Sequence, residues 1–468
     1  MATPENFDLI VIGGGGTGRE AATRAAVDHG ASVAVIESER WGGSCANVAC
    51  KPTKQYVVAA ELVADLRTAA DLGITTGATT FDLARLKARK DWLIGTEATW
   101  RQRFVDAGFN AIDGSATIVD PHTVAVGDRL FTAERILVAT GSRTAVPPID
   151  GIDDVPWIDN VGALELTELP ESLLVMGAGA VGLEFAQAFA RFGSRVTVVE
   201  GAERIAIRSD ADAAAQVHAA LEDDGIEIVT GTFVTKVQRD GDGVAATLTP
   251  RDAGPERVVV AVQLLVASGR KPNIEGIGLE ALGVETSRAG IAVDETMRTS
   301  VAGIWAAGDV AEGIQLTPVG TYQAQVAVAD MFGGSRLAEY DVVPTAIFTD
   351  PELAQVGLTE AEAREAGYET ETSTYLARDL LRPYYSVDRD SAPRGLIKLV
   401  YETGSRRVLG LHAVVRGGAE LIQGYAVALR LGATVDDIAL SHYVFPTTGE
   451  GVHYAAEAAP AATTVNAR

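Results

Sequence analysis

The fold of this chain is decided by residues 7–18, which read FDLIVIGGGGTG. The apolar run from Phe7 to Ile12 predicts a strand, and an alanine-rich helical segment follows the glycines. A second apolar run, Val33 to Ile36, ends at Glu37. A G-x-G-x-x-G turn between strand and helix, with an acid closing the next strand, is typical of a dinucleotide-binding βαβ unit. Its three glycines here are Gly13, Gly15 and Gly18.

Each part of this pattern has a physical reason. The first glycine permits a tight turn, the second lets the backbone approach a pyrophosphate, and the third lets the helix pack against the strand. The N-terminus of the helix faces the phosphates, and the closing acid accepts hydrogen bonds from ribose hydroxyls.

The same order of features recurs later in the chain. The strand Leu173 to Met176 precedes a second glycine turn and a helix, and the strand Val196 to Val199 then ends at Glu200. The glycines of this copy are Gly177, Gly179 and Gly182. Two dinucleotide sites predict an α/β chain with two Rossmann-like domains, in which hydride passes between two cofactors.

Composition excludes several classes of protein. The chain has 468 residues, of which 47% are hydrophobic and 22% charged, so a disordered chain is excluded. Its formal net charge of −24 would repel a phosphate backbone, so no nucleic-acid partner is expected. The sequence contains no run of about 18 apolar residues, so no membrane span is predicted. No signal-peptide pattern precedes Phe7, and we therefore expect a cytoplasmic protein.

Changes in composition suggest four segments. Pro147-Pro148 resembles a linker, Arg270 to Asn273 marks a second change of character, and Val343-Pro344 marks a third. We expect a first dinucleotide-binding part at 1–146, the second dinucleotide-binding domain at 147–270, a further segment at 271–342, and an α+β domain at 343–468. The resemblance described below implies that 271–342 returns to the first domain. The alanine-rich tail from Ala455 is expected to fray.

The only two cysteines, Cys45 and Cys50, follow the first βαβ unit closely. Five residues apart at a glycine-led helix start, they can approach closely enough for a disulfide. The helix N-terminus lowers the pKa of a nearby thiol and so favours its thiolate. Two thiols without a nearby histidine or a third cysteine make a poor zinc site, so no resident metal is predicted. Two inert buried cysteines are the alternative, and the sequence favours a redox pair.

Several blocks together resemble the flavin-dependent pyridine nucleotide–disulfide oxidoreductases. Gly42 to Lys54 resembles the redox-disulfide signature of that family, and Ala307-Gly308-Asp309 resembles the segment whose aspartate binds the flavin ribityl chain. Further similar blocks are Thr140-Gly141-Ser142 in the flavin domain, Gly269-Arg270 at the exit from the nicotinamide domain, and residues 348–351 and 356–357 at the start of the dimerisation domain. Residues 297–300 and 445–456 are most similar to mercuric reductases.

The resemblance implies a set of roles. The first glycine turn would bind FAD and the second NADH or NADPH. Cys50 would face the flavin as the charge-transfer thiol, Cys45 would be the interchange thiol that meets the substrate, and Lys54 would pair with Glu184 beside the flavin. The cofactor-binding residues it implies are Gly13, Gly15, Gly18, Glu37, Gly43, Lys54, Thr140, Gly141, Ser142, Gly177, Gly179, Gly182, Glu200, Gly269, Arg270 and Asp309.

The sequence departs from the family near its C-terminus. Disulfide reductases of the family carry a His-Pro sequence near the C-terminus, with a glutamate five residues after the histidine. This motif completes the active site of the partner subunit. Here Phe445 occupies the base position, while Pro446 and Glu450 are in place. Mercuric reductases also lack the histidine, but they carry an extra C-terminal cysteine pair that this chain does not have. The resemblance implies a homodimer with shared active sites.

Several functions stay open at this point. The leading one passes electrons from NAD(P)H through FAD to the Cys45–Cys50 pair and on to an electrophile, either a soft metal ion or a small molecule. A C–S-cleaving enzyme similar to 2-oxopropyl-coenzyme M reductase/carboxylase, a flavin diaphorase acting on quinones, and a non-catalytic flavoprotein subunit are alternatives. The nicotinamide preference is also open, because Glu200 suits NADH while Arg204 and Arg208 would attract a 2′-phosphate.

Overall fold

The computed structural model describes residues 4–77, 79–387 and 391–460. In this part of the chain the strands are β1 (Glu5–Phe7), β2 (Leu9–Ile12), β3 (Val33–Glu37), β4 (Asn110–Asp113), β5 (Ala116–Asp120), β6 (Thr123–Val126), β7 (Arg129–Ala133), β8 (Ile136–Val138), β9 (Ser142–Thr144), β10 (Trp157–Ile158), β11 (Ser172–Met176), β12 (Arg195–Val199), β13 (Glu227–Val229), β14 (Thr232–Asp240), β15 (Gly243–Pro250), β16 (Arg257–Ala261), β17 (Gln263–Val266), β18 (Arg270–Pro272), β19 (Thr286–Ser287), β20 (Gly290–Ile291), β21 (Ile304–Ala306), β22 (Thr345–Ile347), β23 (Glu352–Gly357), β24 (Thr370–Leu376), β25 (Leu396–Glu402) and β26 (Val408–Val415).

The α-helices of the same residues are α1 (Gly16–His29), α2 (Gly43–Asn47), α3 (Cys50–Thr68), α4 (Leu83–Ile94), α5 (Glu97–Asp106), α6 (Asn160–Glu165), α7 (Ala180–Phe192), α8 (Ala211–Asp223), α9 (Thr317–Met331), α10 (Glu360–Glu365), α11 (Gly418–Arg430), α12 (Val435–Leu440) and α13 (Glu450–Glu457). Within the described ranges, none of these helices has the length and apolar character that a membrane span requires.

The chain forms two compact units, each built from three segments. Unit 1 combines the described residues up to Thr53 with Lys87–Ala145 and Gly269–Tyr340. Unit 2 combines Lys54–Leu86 with Val146–Ser268 and the described residues from Asp341 onward. The two compact units join segments that are distant in sequence, so they do not correspond to the four predicted segments with boundaries at 147, 271 and 343. That four-part division stays a prediction.

Unit 1 is built on a five-stranded parallel sheet in the order β21-β8-β2-β3-β4. Successive residues of β2 alternate between two cores, because side chains of a strand point to opposite faces. Leu9 and Val11 join one apolar cluster, and Ile10 and Ile12 join the other. Such continuous apolar strands are typical of parallel sheets that are buried on both faces.

Unit 2 contains a second parallel sheet with the same construction, in the order β10-β17-β11-β12-β13. Leu173 and Val175 of β11 join one core, and Leu174 and Met176 join another. The unit also holds the antiparallel sheets β14-β15-β16 and β22-β23-β26-β25-β24. The last of these belongs to the predicted α+β domain and packs helix α11 against β23.

Both glycine turns lie where the sheet order reverses. β2 has β3 on one side and β8 on the other, and β11 lies likewise between β12 and β17. Connections that leave in opposite directions open a crevice at the carboxyl ends of the two central strands, which is where parallel α/β sheets bind ligands.

Three local expectations need correction. The run Phe7 to Ile12 is broken at Asp8, which leaves the ladder because its carboxylate accepts hydrogen bonds from the backbone and hydroxyl of Ser32 at 2.8 and 2.7 Å. The cysteines do not share one helix start: Cys45 lies in α2, and Cys50 begins α3. Ala455 and Ala456 are not frayed, since they are buried within α13, while the end of the predicted tail, 461–468, lies outside the described residues.

Candidate active site

The first glycine turn of unit 1 has the shape that a dinucleotide requires. A Cβ atom on Gly18 would overlap the carbonyl oxygen of Gly13, so only glycine lets α1 pack this closely on the end of β2. Gly15 is the N-cap residue of α1, and no side chain of the described residues caps that helix end. The backbone N–H groups of the first helical turn therefore fit an incoming phosphate.

Glu37 and Gly43 lie against this turn. The Glu37 carboxylate accepts hydrogen bonds from the N–H of Gly14 at 2.7 Å and from that of Glu39 at 2.7 Å. Gly43 approaches Gly15 so closely that a Cβ atom on Gly43 would come within 2.6 Å of the Gly15 Cα atom. The structure thus brings together the first predicted cofactor-binding cluster of unit 1.

The remaining predicted residues of unit 1 form a second cluster. Strands β9 and β18 pair, which joins Ser142 to Pro272 and brings Arg270 next to Ser142. The Asp309 carboxylate accepts a hydrogen bond from the Ser142 hydroxyl at 2.7 Å, and Arg270 donates to the same hydroxyl at 2.7 Å. The Thr140 hydroxyl donates to the carbonyl oxygen of Asn273 at 2.7 Å, beside Gly141 and Gly269. Apart from the adjacent residues of the chain, no described residue lies within 4 Å of the positions that Cβ atoms on these two glycines would take.

The second glycine turn, in unit 2, repeats the first. A Cβ atom on Gly182 would overlap the carbonyl oxygen of Gly177, and Gly179 is the N-cap residue of α7 with open space around its Cα atom. The Glu200 carboxylate accepts from the N–H of Ala178 at 2.7 Å and from that of Ala202 at 2.8 Å. In both turns the closing acid therefore binds the backbone of the turn, a role that the fingerprint alone does not predict.

Arg204 forms hydrogen bonds that could not be predicted from the sequence. Its guanidinium donates hydrogen bonds to the backbone carbonyls of Ala206, Ile207 and Ser209 at 2.9, 2.8 and 2.7 Å. Arg208, the other basic candidate, is exposed. The Arg204 side chain thus fixes the loop after β12, and its donors are directed at protein oxygens.

The two cysteines lie in unit 1 at the junction of α2 and α3. Cys45 is half-buried and Cys50 is exposed. The Cys50 sulfur lies 3.8 Å from the hydroxyl of Thr317, the first residue of α9, a neighbour without any signal in the sequence. Because Cys50 begins a helix of 19 residues, the helix dipole favours the thiolate form of its side chain. Within 4–77, 79–387 and 391–460, no cluster of three or more His, Cys, Asp or Glu side chains could hold a metal ion.

Lys54 and Glu184 meet within unit 2. Their Nζ and Oε2 atoms are 2.7 Å apart, and Glu184 is only 5% exposed. The second carboxylate oxygen accepts the N–H of Phe348 at 3.1 Å, and the Lys54 ammonium lies 4.2 Å from the centre of the Phe348 ring. Phe348 lies in the block that resembles the dimerisation domain, but its contact with this pair could not be read from spacing.

Phe445 and Glu450 have opposite environments in the last segment of unit 2. Phe445 is 65% exposed, whereas Glu450, the first residue of α13, is 2% exposed. The Oε2 atom of Glu450 is buried without a hydrogen-bond partner among the described residues. The hydrogen bond between the hydroxyls of Tyr443 and Tyr454 raises the pKa of Tyr454, a residue of α13, to about 12, so this phenol stays protonated at neutral pH.

Comparisons with known proteins agree with this geometry. The chain matches the family described as pyridine nucleotide-disulphide oxidoreductase over residues 7–324 and its dimerisation domain over residues 343–456. It is 37% identical to a mercuric reductase of Streptomyces lividans over 96% of both chains, and 36% identical to a dihydrolipoyl dehydrogenase of Thermus scotoductus over 97% of both.

A solved structure, the Cu(II) complex of the HOCl-induced flavoprotein disulfide reductase RclA from Escherichia coli, matches with a TM-score of 0.85 at 27% identity. The match covers 97% of this chain and 100% of that one. The predicted fold class, the enzyme class and the cofactor pair FAD and NAD(P)H are confirmed. The chain belongs to the pyridine nucleotide-disulphide oxidoreductases, a family of FAD-containing enzymes that use NAD(P)H.

Proposed function

We propose that this enzyme transfers electrons from NADH to a soft metal ion held by the Cys45 and Cys50 thiolates. Bound FAD would supply the two-electron relay between the nicotinamide and the cysteine pair. Thiolates are the ligands that soft metal ions prefer, and the two cysteines are the only ones in the chain. The named relatives support this class of acceptor, since one is a mercuric reductase and another was solved as a Cu(II) complex.

The observation that carries the proposal is the phenylalanine at position 445. Disulfide exchange needs an acid that protonates the departing thiolate, and general acid–base help of this kind is typically worth about 10²–10⁴-fold. Phe445 cannot transfer a proton. A metal ion coordinated by two thiolates takes up electrons without a departing thiolate that needs a proton, so its reduction does not require a proton donor at 445.

The nicotinamide turn supports NADH as the donor. Glu200 lies at the end of β12, where an acid suits a free 2′-hydroxyl and repels a 2′-phosphate. Arg204 is engaged with backbone carbonyls, which leaves its charge poorly placed to compensate for Glu200. We therefore expect kcat/KM to be at least about tenfold higher for NADH than for NADPH, a difference of about 1.4 kcal/mol.

Steady-state oxidation of NADH and NADPH against separate acceptors tests the proposal. Hg(II), Cu(II), glutathione disulfide, lipoamide and a quinone would each be supplied as the sole acceptor. We expect the wild type to reduce metal ions and to reduce disulfides poorly. Metal reduction should be lost in Cys45→Ser and in Cys50→Ser. Quinone reduction that survives both cysteine variants, with no metal reduction, would instead establish a diaphorase and overturn the proposal.

We further propose a homodimer in which the segment around Phe445 completes the partner's site. Leu440 is 84% exposed and Val444 is 74% exposed, and both lie beside Phe445 in the region that matches the dimerisation domain. Such an apolar surface is costly to leave in water. Light scattering at several protein concentrations should give twice the chain mass, and a monomer with full dithiol-dependent turnover would contradict this assignment.

A further inference from the structure

Glu61 is a titratable group that none of the roles above uses. It lies on α3 seven residues after Lys54, which places both side chains on the same face of the helix. In unit 2, Glu61 and Glu184 both line a cavity of about 10 Å³, together with Gln187, Arg191 and Asp350. A polar cavity of this size has room for one water molecule.

Among the residues that the structure describes, the neighbouring arginines pair with other carboxylates and leave Glu61 without an ion pair. Arg191 donates to Asp224 and Asp350, both at 2.9 Å, and Arg416 donates to Asp350 at 2.8 Å and to Asp65 at 2.8 Å. Burial raises the pKa of Glu61, and the negative charges of Asp350 and Glu352 raise it further, while Arg416 and Arg191 lower it. The net effect is upward, so Glu61 exchanges its proton nearer to neutral pH than an exposed glutamate does.

Metal reduction leaves one proton to be removed. NADH and Hg(II) give NAD⁺, Hg(0) and H⁺, and NADH with two Cu(II) gives NAD⁺, two Cu(I) and H⁺. In either reaction the acceptor takes both electrons of the hydride and none of its proton. A histidine at 445 would have been available to receive this proton, and Phe445 is not.

We propose that Glu61 accepts this proton from the Lys54–Glu184 pair through a water in the cavity and releases it to solvent. The inference rests on the proposed metal reduction. Lys54 Nζ passes a proton to Glu184 Oε2 across their 2.7 Å hydrogen bond, Glu184 passes a proton to the water, and the water passes one to Glu61. The proton that metal reduction leaves returns Lys54 to its ammonium form, so one proton enters the relay for each one that Glu61 releases. Glu61 lines the cavity and is half-buried, so part of the residue is exposed to solvent.

Glu61→Gln tests the relay, and Glu352→Gln is the matched control. The pKa of Glu352 is also raised by burial, but its carboxylate accepts the N–H of Ala419 at 2.7 Å and does not line the cavity. Stopped-flow mixing with a pH-indicator dye would follow proton release during metal reduction. At pH 7 we expect Glu61→Gln to slow proton release and kcat about tenfold, less than the 10²–10⁴-fold of direct acid–base catalysis. Glu352→Gln should match the wild type.

The pH profile separates a relay from a structural effect. Wild-type kcat should fall as pH drops, because protonated Glu61 accepts no proton; Glu61→Gln should lose this dependence, and Glu61→Asp should retain it. Cofactor reduction by NADH, which releases no proton, should be equal in all variants. The relay would be overturned if the wild type reduces the metal ion and Glu61→Gln has the same rate of proton release and the same pH profile. A wild type that reduces no metal ion would instead overturn the proposed function itself.

A crystal structure of the wild-type enzyme gives a test that does not depend on activity. We expect one ordered water within hydrogen-bond distance of both carboxyl groups, and its loss in Glu61→Leu. A dry cavity in the wild type would overturn the proposal.

Discussion

Lys54 and Glu184 are 130 residues apart in the chain and 2.7 Å apart in the structure. The Glu184 carboxylate is almost fully buried, so its charge needs compensation that water cannot supply. Lys54 supplies a positive charge to one oxygen, and the Phe348 N–H supplies a donor to the other. The two side chains thus form a preformed, oriented ion pair within unit 2. The family resemblance implies a place beside the flavin for this pair, and the first prediction follows from that role.

Glu184→Gln should therefore impair electron transfer more than folding. The amide oxygen can still accept the Phe348 N–H, but Lys54 loses its counter-charge. We expect the free energy of unfolding to fall by about 1.5–3 kcal/mol, the value of a hydrogen bond between charged groups, measured by urea titration. Stopped-flow reduction of the bound flavin by NADH should slow at least about tenfold.

Asp65→Asn is the control for this variant. Asp65 lies on the same helix and forms an ion pair with Arg416 at 2.8 Å. Its replacement should leave flavin reduction unchanged. Equal rates of flavin reduction in Glu184→Gln and the wild type would show that the pair has only a structural role.

The two cysteines should differ in their optical signatures. In the two-electron-reduced enzyme, a Cys50 thiolate next to oxidised flavin should produce a long-wavelength charge-transfer band, since the start of α3 favours the thiolate. Absorption spectra should show the band abolished in Cys50→Ser and present without reduction in Cys45→Ser. A band that survives in Cys50→Ser would mean that the two roles are exchanged.

Phe445→His should create disulfide reductase activity. Histidine titrates near neutral pH, and the buried Glu450 carboxylate, whose Oε2 has no partner among the described residues, could orient its ring. We expect kcat/KM for small disulfides to rise about 10²-fold, within the usual range of general acid–base catalysis. Hg(II) reduction, measured in parallel, should change little. If the wild type already reduces a small disulfide at about 10² s⁻¹ or more, the missing base is irrelevant.

Lys398→Met should destabilise unit 2. The Lys398 ammonium is 3% exposed and contacts Asp210, Asp212 and Glu360 at 3.0, 2.7 and 3.1 Å. Loss of the cation leaves the equally buried Asp210 without its partner, which costs about 3–5 kcal/mol. Lys271→Met removes an exposed ion pair with Glu275 and should cost no more than about 1 kcal/mol. Similar losses in the two variants, measured by urea unfolding, would contradict this prediction.

The cost of Lys398→Met should depend on pH. Burial raises the pKa of Asp210, but the charges of His412 and Lys398 lower it more, so its net shift is downward. A lowered pKa in the folded state stabilises the protein above the unfolded value of about 3.9, and this stabilisation is lost as pH falls through the folded value. The difference between wild type and Lys398→Met should therefore shrink below about pH 4.

The two dinucleotide turns and the close pair of cysteines can be recognised from the sequence alone. Their signals are local: glycines at fixed spacing between an apolar strand and a helix, a closing acid, and two cysteines five residues apart just after the first βαβ unit. Backbone geometry imposes these choices over about 30 residues, so spacing is enough to recognise them. The phenylalanine at the position where the resemblance predicts a base could be recognised for the same reason, because Pro446 and Glu450 fix the register of the motif.

Only the tertiary structure decided which distant side chains meet. The pairing of Lys54 with Glu184, the engagement of Arg204 by backbone carbonyls and the cavity between Glu61 and Glu184 depend on contacts between segments that are far apart in the chain. From the sequence alone, a charged residue on a helix is interpreted as a solvated surface group. Its burial and its partners depend on how the chain folds. The sequence therefore predicts where the cofactors bind, because the glycine turns are local patterns, whereas the partners of each charged side chain depend on the tertiary structure.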